Sequence, residues 1–221
     1  LLVEDGRRVT PRVTAAGDGE VENPGDYDFA ITHITDTQYL SESYPEVYAQ
    51  LASWIVDNSA ERKIAFATHT GDLVQNWVDP DQNDTRARVE FEPTSEAAAL
   101  PTGVPPATRE TRRAPPGGFS KESSPPSRYE ANDWYGGSIA PGDNSANFST
   151  FERDGARFLM LSLPYAYGDR ELAWAEEVVT SHPGHNVIIS THEHVMPKTL
   201  EVGALRSTNS RWVSRGQDLW D

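Results

Sequence analysis

Two stretches decide the reading of this chain: Phe29-Ala30-Ile31-Thr32-His33-Ile34-Thr35-Asp36-Thr37-Gln38 and Ile64-Ala65-Phe66-Ala67-Thr68-His69-Thr70-Gly71-Asp72. Each is an apolar run that ends in a carboxylate. The runs read as buried strands, from Asp28 to Thr35 and from about Lys63 to Thr68, the first apolar enough for burial on both faces. Between them Ser43-Tyr44-Pro45-Glu46 has the spacing of a capping box with Pro in the first turn. Val47, Leu51, Trp54, Ile55 and Asn58 then follow at helical spacing and predict one mostly apolar face. Strand, helix and strand make a βαβ unit with a right-handed crossover. Ligands gather outside the carboxyl ends of parallel strands, so Asp36 and Asp72 are expected at one site.

Further along, Asn147 to Arg153 alternates as a strand does, Asp154-Gly155 is a hairpin turn signal, and Ala156 to Leu163 reads as a buried strand. Asp169 is the expected N-cap of a helix with Leu172, Ala175, Val178 and Val179 on one face, ended by Pro183-Gly184. Val187-Ile188-Ile189-Ser190 is expected to be another buried strand, running into Thr191-His192-Glu193-His194. A second helix is expected from Asp84 to Leu100, broken near Phe91 by Pro93, and a last one from Ser214 to Asp221. Eight of the 16 prolines lie between Pro93 and Pro126, where neither period 2 nor period 3.6 is visible, and this stretch reads as an irregular insert. Residues 1–27 are polar and Gly-rich and read as a linker or the tail of a preceding module. With no Met at Leu1 and a helix running into Asp221, both ends are expected to be cut.

The bulk numbers narrow the function classes. The formal charge of −15 argues against general nucleic-acid binding and against anionic membrane surfaces. No apolar run approaches the roughly 20 residues of a membrane span. With no cysteine, disulfides, thiolate metal sites and Cys nucleophiles are excluded. What remains is oxygen and nitrogen chemistry. Asp36, Gln38, Asp72 and His192 stand at or just past strand ends, and a divalent cation takes carboxylate oxygen and imidazole nitrogen from rigid elements. Each alone has a simpler reading: Asp36 as a helix cap, Asp72 as a turn residue, His192 as a loop histidine. His194 could assist, His33 and His69 read as supporting or packing residues, and His182 and His185 as surface turn residues.

In this order, Ile34-Thr35-Asp36-Thr37-Gln38-Tyr39, Thr70-Gly71-Asp72-Leu73-Val74-Gln75-Asn76 and Ile189-Ser190-Thr191-His192-Glu193 resemble the calcineurin-like metallophosphoesterase family. The likeness is greatest to its secreted bacterial subgroup, with Asp-x-Gln in the first motif. Trp134-Tyr135-Gly136-Gly137 and Pro141-Gly142-Asp143-Asn144 also resemble that subgroup. The resemblance implies an α/β (α+β) fold, a β-sandwich flanked by helices, over residues 28–221, with the Pro-rich insert at about 93–127. It implies two divalent metal ions of the Mn, Fe or Zn class, Asp36 and Gln38 on the first, Asp72 bridging, His192 on the second. It implies hydrolysis of a phosphomonoester or phosphodiester substrate and a secreted location.

Two departures accompany it. The family's Gly-Asn-His-Asp/Glu motif has no counterpart, since no Asn or His occurs between Asp84 and Ala131, and the corresponding stretch reads Gly103-Val104-Pro105-Pro106. Its strand is expected to be missing or rewritten, by true loss or by a local frame shift, and no catalytic residue is assigned. The last family motif, Gly-His-x-His, is expected beyond Asp221, leaving the domain incomplete at its C-terminus. The alternative is a non-catalytic extracellular module that keeps the fold without the chemistry.

Overall fold

The structure, a computed structural model, describes residues 26–73, 101, 125–164 and 167–192, and the backbone of 2–4, 7–9 and 102–103. The first two strands, β1 (Leu2–Glu4) and β2 (Arg7–Val9), pair antiparallel in the stretch read as a linker. The expected helices over 84–100 and 214–221, most of the insert, and His194 lie outside the described residues.

The βαβ unit forms as the sequence predicts. β3 (Ala30–Ile34) pairs in parallel with β4 (Ile64–His69), and α2 (Pro45–Asp57) connects them after a short helix α1 (Gln38–Ser43) that the sequence reading missed. The expected capping box does not form. Ser43 ends α1, Tyr44 is the N-cap of α2 without a side-chain cap, and Pro45 opens α2, where its missing N–H costs nothing. The buried face of α2 is Tyr48, Ala52 and Ile55, whereas Val47 and Trp54, expected inside, are 43% and 41% exposed. Trp54 instead lies under the Arg62 guanidinium, 5.9 Å from the ring centroid.

All six residues of β4 are buried, as befits a central parallel strand. β3 is not buried on both faces, because it is an edge strand of its three-stranded sheet and His33 is exposed. The third strand is a surprise. β5 (Thr102–Gly103) runs parallel to β4, with Ala67 N–H donating to Pro101 O at 2.9 Å. Of the two expectations for this strand, missing or rewritten, it is therefore not missing: it is present, though only two residues long, and its sequence runs on into Val104-Pro105 without Asn or His.

The second sheet has the order β6-β7-β8-β9, formed by Tyr135–Ala140, Asp143–Arg153, Ala156–Ser162 and Asn186–Ser190. The β7–β8 hairpin turns at Asp154 and Gly155, whose φ values of 51° and 76° are those a type I′ turn requires. After β8, α3 (Asp169–Ser181) crosses over and β9 pairs in parallel with β8. Asp169 is the first helical residue rather than the cap. The N-cap is Gly168, whose N–H donates to Glu171 Oε2 at 2.6 Å. Ala175 and Val178 form the buried stripe, with Leu172 half-buried and Val179 38% exposed. β9 is not fully buried: Val187 and Ile189 are 39% and 38% exposed, because an edge strand with period 2 commits only Ile188 and Ser190 inward. His182 is more than a surface turn residue, since its ring packs edge-on against Phe148 at 5.0 Å and its Nδ1 lies 2.7 Å from Val178 O.

Alternation in β8 builds the layers. Leu159 and Leu161 point to α3 with Ala146, Ala175 and Val178, while Met160 points the other way to Ala65, Phe66 and Phe151. Phe66 stacks on Phe151 with centroids 5.6 Å apart, joining the two sheets face to face. On the far side of the first sheet, Tyr48, Ala52 and Ile55 pack onto Ile34, Ile64 and Ala67. The order is helix, sheet, sheet, helix: a mixed α/β sandwich flanked by helices, with no closed barrel among the described residues.

Candidate metal centre

Because β3 and β4 are parallel neighbours, their C-terminal ends leave the sheet at the same edge. The ladder continues past both strands, with Thr70 N–H donating to Ile34 O at 3.0 Å and Asp36 N–H to Gly71 O at 3.1 Å. Asp36 and Asp72 are thereby presented side by side. Each sits in the left-handed region, φ 56° and 52°, which Asp visits more readily than most residues but still at a cost. Strained carboxylates at two adjacent strand ends point to function rather than stability.

His192 arrives from the other sheet, not from a further strand of the first. Ser190, the last residue of β9, is hydrogen-bonded through its hydroxyl to Thr68 Oγ1 across the sandwich at 2.8 Å. That buried bond sets the end of β9 against the end of β4. His192 Nε2 then lies 4.0 Å from Asp72 Oδ2. One ligand atom from each of Asp36, Asp72 and His192 lies within 4.8 Å of the others. Asp36 is exposed, Asp72 is buried and His192 is half-buried, so the cluster opens to solvent on the Asp36 side.

Gln38 joins them. It is buried at the start of α1, and its Nε2 donates to Asp72 Oδ2 at 3.4 Å. Its Oε1 is buried without a hydrogen-bond partner among the described residues. A buried amide oxygen left unpaired is costly unless something else takes its lone pairs. Ligands on one cation at about 2.1 Å can stand at most about 4.2 Å apart. The His192–Asp72 distance already meets that limit, and the full cluster needs to contract by less than an ångström. Donor chemistry and spacing both fit a divalent cation.

Supporting contacts orient the donors. Thr35 Oγ1 donates to Asp36 Oδ2 at 2.6 Å. His33 Nε2 lies 3.1 Å from Thr70 Oγ1. His69 is fully buried and reaches both loops, through Thr37 Oγ1 at 2.8 Å and the Gly71 N–H at 3.0 Å. Burial, with like charge from His33 and His192, pushes its pKa down to about 3 against an opposing pull from Asp36. Sequence reasoning saw His69 as supporting or packing and overlooked Thr37. The available signal was an imidazole inside a strand of buried residues, which demands hydrogen-bond partners.

Trp134 and Tyr135 are half-buried. They pack with Tyr129 at centroid distances of 6.2 and 5.7 Å, and Tyr135 Oη donates to the buried Asn144 at 2.6 Å. No helix among the described residues is long and apolar enough to cross a membrane.

No protein-family profile matches the chain. It is 26% identical over 172 residues to the uncharacterized protein YvnB of Bacillus subtilis (strain 168), an alignment spanning 76% of this chain but 13% of that protein. A purple acid phosphatase, PPD1, from yellow lupin (Lupinus luteus) seeds aligns with 73% of this chain and 30% of its own, at 13% identity and a TM-score of 0.41. A dimetal phosphatase from Danio rerio superposes on 80% of this chain and 73% of its own, at 16% identity and a TM-score of 0.50. The helix-flanked sandwich that gathers Asp36, Asp72 and His192 is thus similar in fold to a dimetal phosphatase, a metallophosphoesterase-type structure.

Proposed function

We propose that this chain carries the metal centre of a phosphoric ester hydrolase acting on phosphomonoesters or phosphodiesters. The observation that carries the proposal is the convergence of Asp36, Asp72 and His192 within 4.8 Å at the strand ends of a phosphoesterase-type fold. Asp72 lies between Gln38 and His192, as a carboxylate shared by two ions would. Asp36 and Gln38 would then hold one cation and His192 the other. Divalent cations so bound lower the pKa of a coordinated water and offset phosphoryl charge. The chain's own part is to supply two carboxylates and an imidazole on rigid strand ends, with one face open for an anionic substrate. Gln38 is a neutral donor, so its cation should be the more weakly bound. A secreted location belongs to this proposal on the motif resemblance alone.

The absence of Asn and His beside β5 favours a second reading, a fold retained without turnover. Titration calorimetry with Mn²⁺ and Zn²⁺, followed by hydrolysis of an aryl phosphate monoester and diester, separates the two. Binding with turnover supports the hydrolase. Binding without turnover supports the second reading. No binding of either ion removes both the metal centre and the hydrolase.

A further inference from the structure

One buried side chain at the centre is not a candidate ligand, yet it touches both loops that carry candidates. The Gly71 N–H donates to His69 Nδ1 at 3.0 Å, so Nδ1 bears a lone pair and the ring proton sits on Nε2. Nε2–H therefore donates to Thr37 Oγ1 at 2.8 Å. Thr37 stands between Asp36 and Gln38, and Gly71 precedes Asp72. We infer that His69 is a positioning strut: its neutral ring joins the Asp36–Gln38 loop to the Gly71–Asp72 loop, so that the cation site is preformed rather than assembled by the ion.

Two features support this. A planar ring with polar atoms on two sides makes both bonds at one rigid separation. In addition, both aspartates hold left-handed φ values, 56° and 52°, and such backbone persists only where the surroundings over-determine it. The continued β3–β4 ladder ties the loops once, and His69 ties them again from a fully buried side chain held by hydrogen bonds at both ring nitrogens. Outer contacts of this kind commonly change metal affinity by about 10–100-fold.

The inference takes its metal from the proposed phosphoesterase reading, so the test has one arm that needs no metal. Hydrogen exchange is measured on metal-free wild type, Thr37→Val, His69→Leu and the double variant. Thr37→Val keeps the shape of the side chain and removes only the hydroxyl. The strut requires it to speed exchange in the 70–72 segment as well as in its own loop. It also requires the double variant to exchange no faster than His69→Leu. An effect of Thr37→Val confined to residues 35–38 overturns the inference, and this comparison stands even if His69→Leu does not fold. In the second arm, Mn²⁺ calorimetry should show each single variant about 10–100-fold weaker and the double variant no weaker than His69→Leu. Losses that multiply would also overturn it. If wild type binds no Mn²⁺, the proposed function fails while the exchange data still decide the strut.

Discussion

Replacing Asp72 by Asn should stabilise the metal-free protein while abolishing its response to divalent cations. Asp72 is buried, and its carboxylate lies no more than 4.8 Å from that of Asp36. Two unit charges at 4.8 Å repel by about 0.9 kcal/mol at the dielectric of water and about 3.5 kcal/mol at an effective dielectric of 20. Asp36 is exposed, which draws the value toward the lower end, to roughly 1–2 kcal/mol. Asn keeps the shape, tolerates the φ of 52° as well as Asp does, and still accepts from Gln38 Nε2. It sheds one buried charge. In a domain of this size 1 kcal/mol moves the midpoint by roughly 2–4 °C, so Asp72→Asn should melt about 2–8 °C above wild type in EDTA. Adding Mn²⁺ or Zn²⁺ at about 100 times its Kd should raise wild type by about 2.7 kcal/mol and leave the variant unmoved, reversing the order. Scanning calorimetry in chelator and in metal measures both. A variant that melts below wild type in EDTA would show that the carboxylate serves the fold itself, and the repulsion argument would be refuted.

Two further outcomes are expected from the packing around His69 and Gly136. His69 is held neutral, with a pKa of about 3 against about 6.5 unfolded, so its stabilisation is complete above pH 6.5 and is lost as the pH falls from there toward 3. Urea unfolding at pH 7 and pH 5 should show wild type losing about 2 kcal/mol more than His69→Asn, and equal losses would contradict the buried neutral ring. At Gly136 any β-carbon would collide with the Phe148 ring, which packs against Trp174 and His182. Gly136→Ala should therefore cost about 1–3 kcal/mol in the same experiment, and Gly136→Ala combined with Phe148→Leu should recover part of that loss.

Local chemistry made much of this protein legible in one dimension. Apolar runs place β3, β4 and β8, period-2 alternation places β7, and period-3.6 spacing places α2 and α3, each within a few residues of where it forms, and Asp154-Gly155 turns as its residue types demand. Asp36 and Asp72 come together by the rule that parallel neighbours end at one edge. The errors share a cause. Val47, Trp54, Val187 and Ile189 are apolar at the right spacing yet exposed, because periodicity says that a face exists and not which neighbour covers it. Ser43 and Asp169 have capping chemistry, but the chain path assigns the cap positions to Tyr44 and Gly168.

What only the tertiary structure decided is the third corner of the site. The chain order shows that His192 follows a strand, but not that this strand belongs to the opposite sheet. The Thr68–Ser190 hydroxyl contact and the Phe66–Phe151 stack bring that sheet's end over Asp72. The pairing of β5 with β4 and the double grip of His69 are likewise contacts between residues far apart in sequence or on different loops. Sequence carries short-range propensity, and such convergence depends on how whole layers dock, a quantity set by summed packing rather than by any one motif.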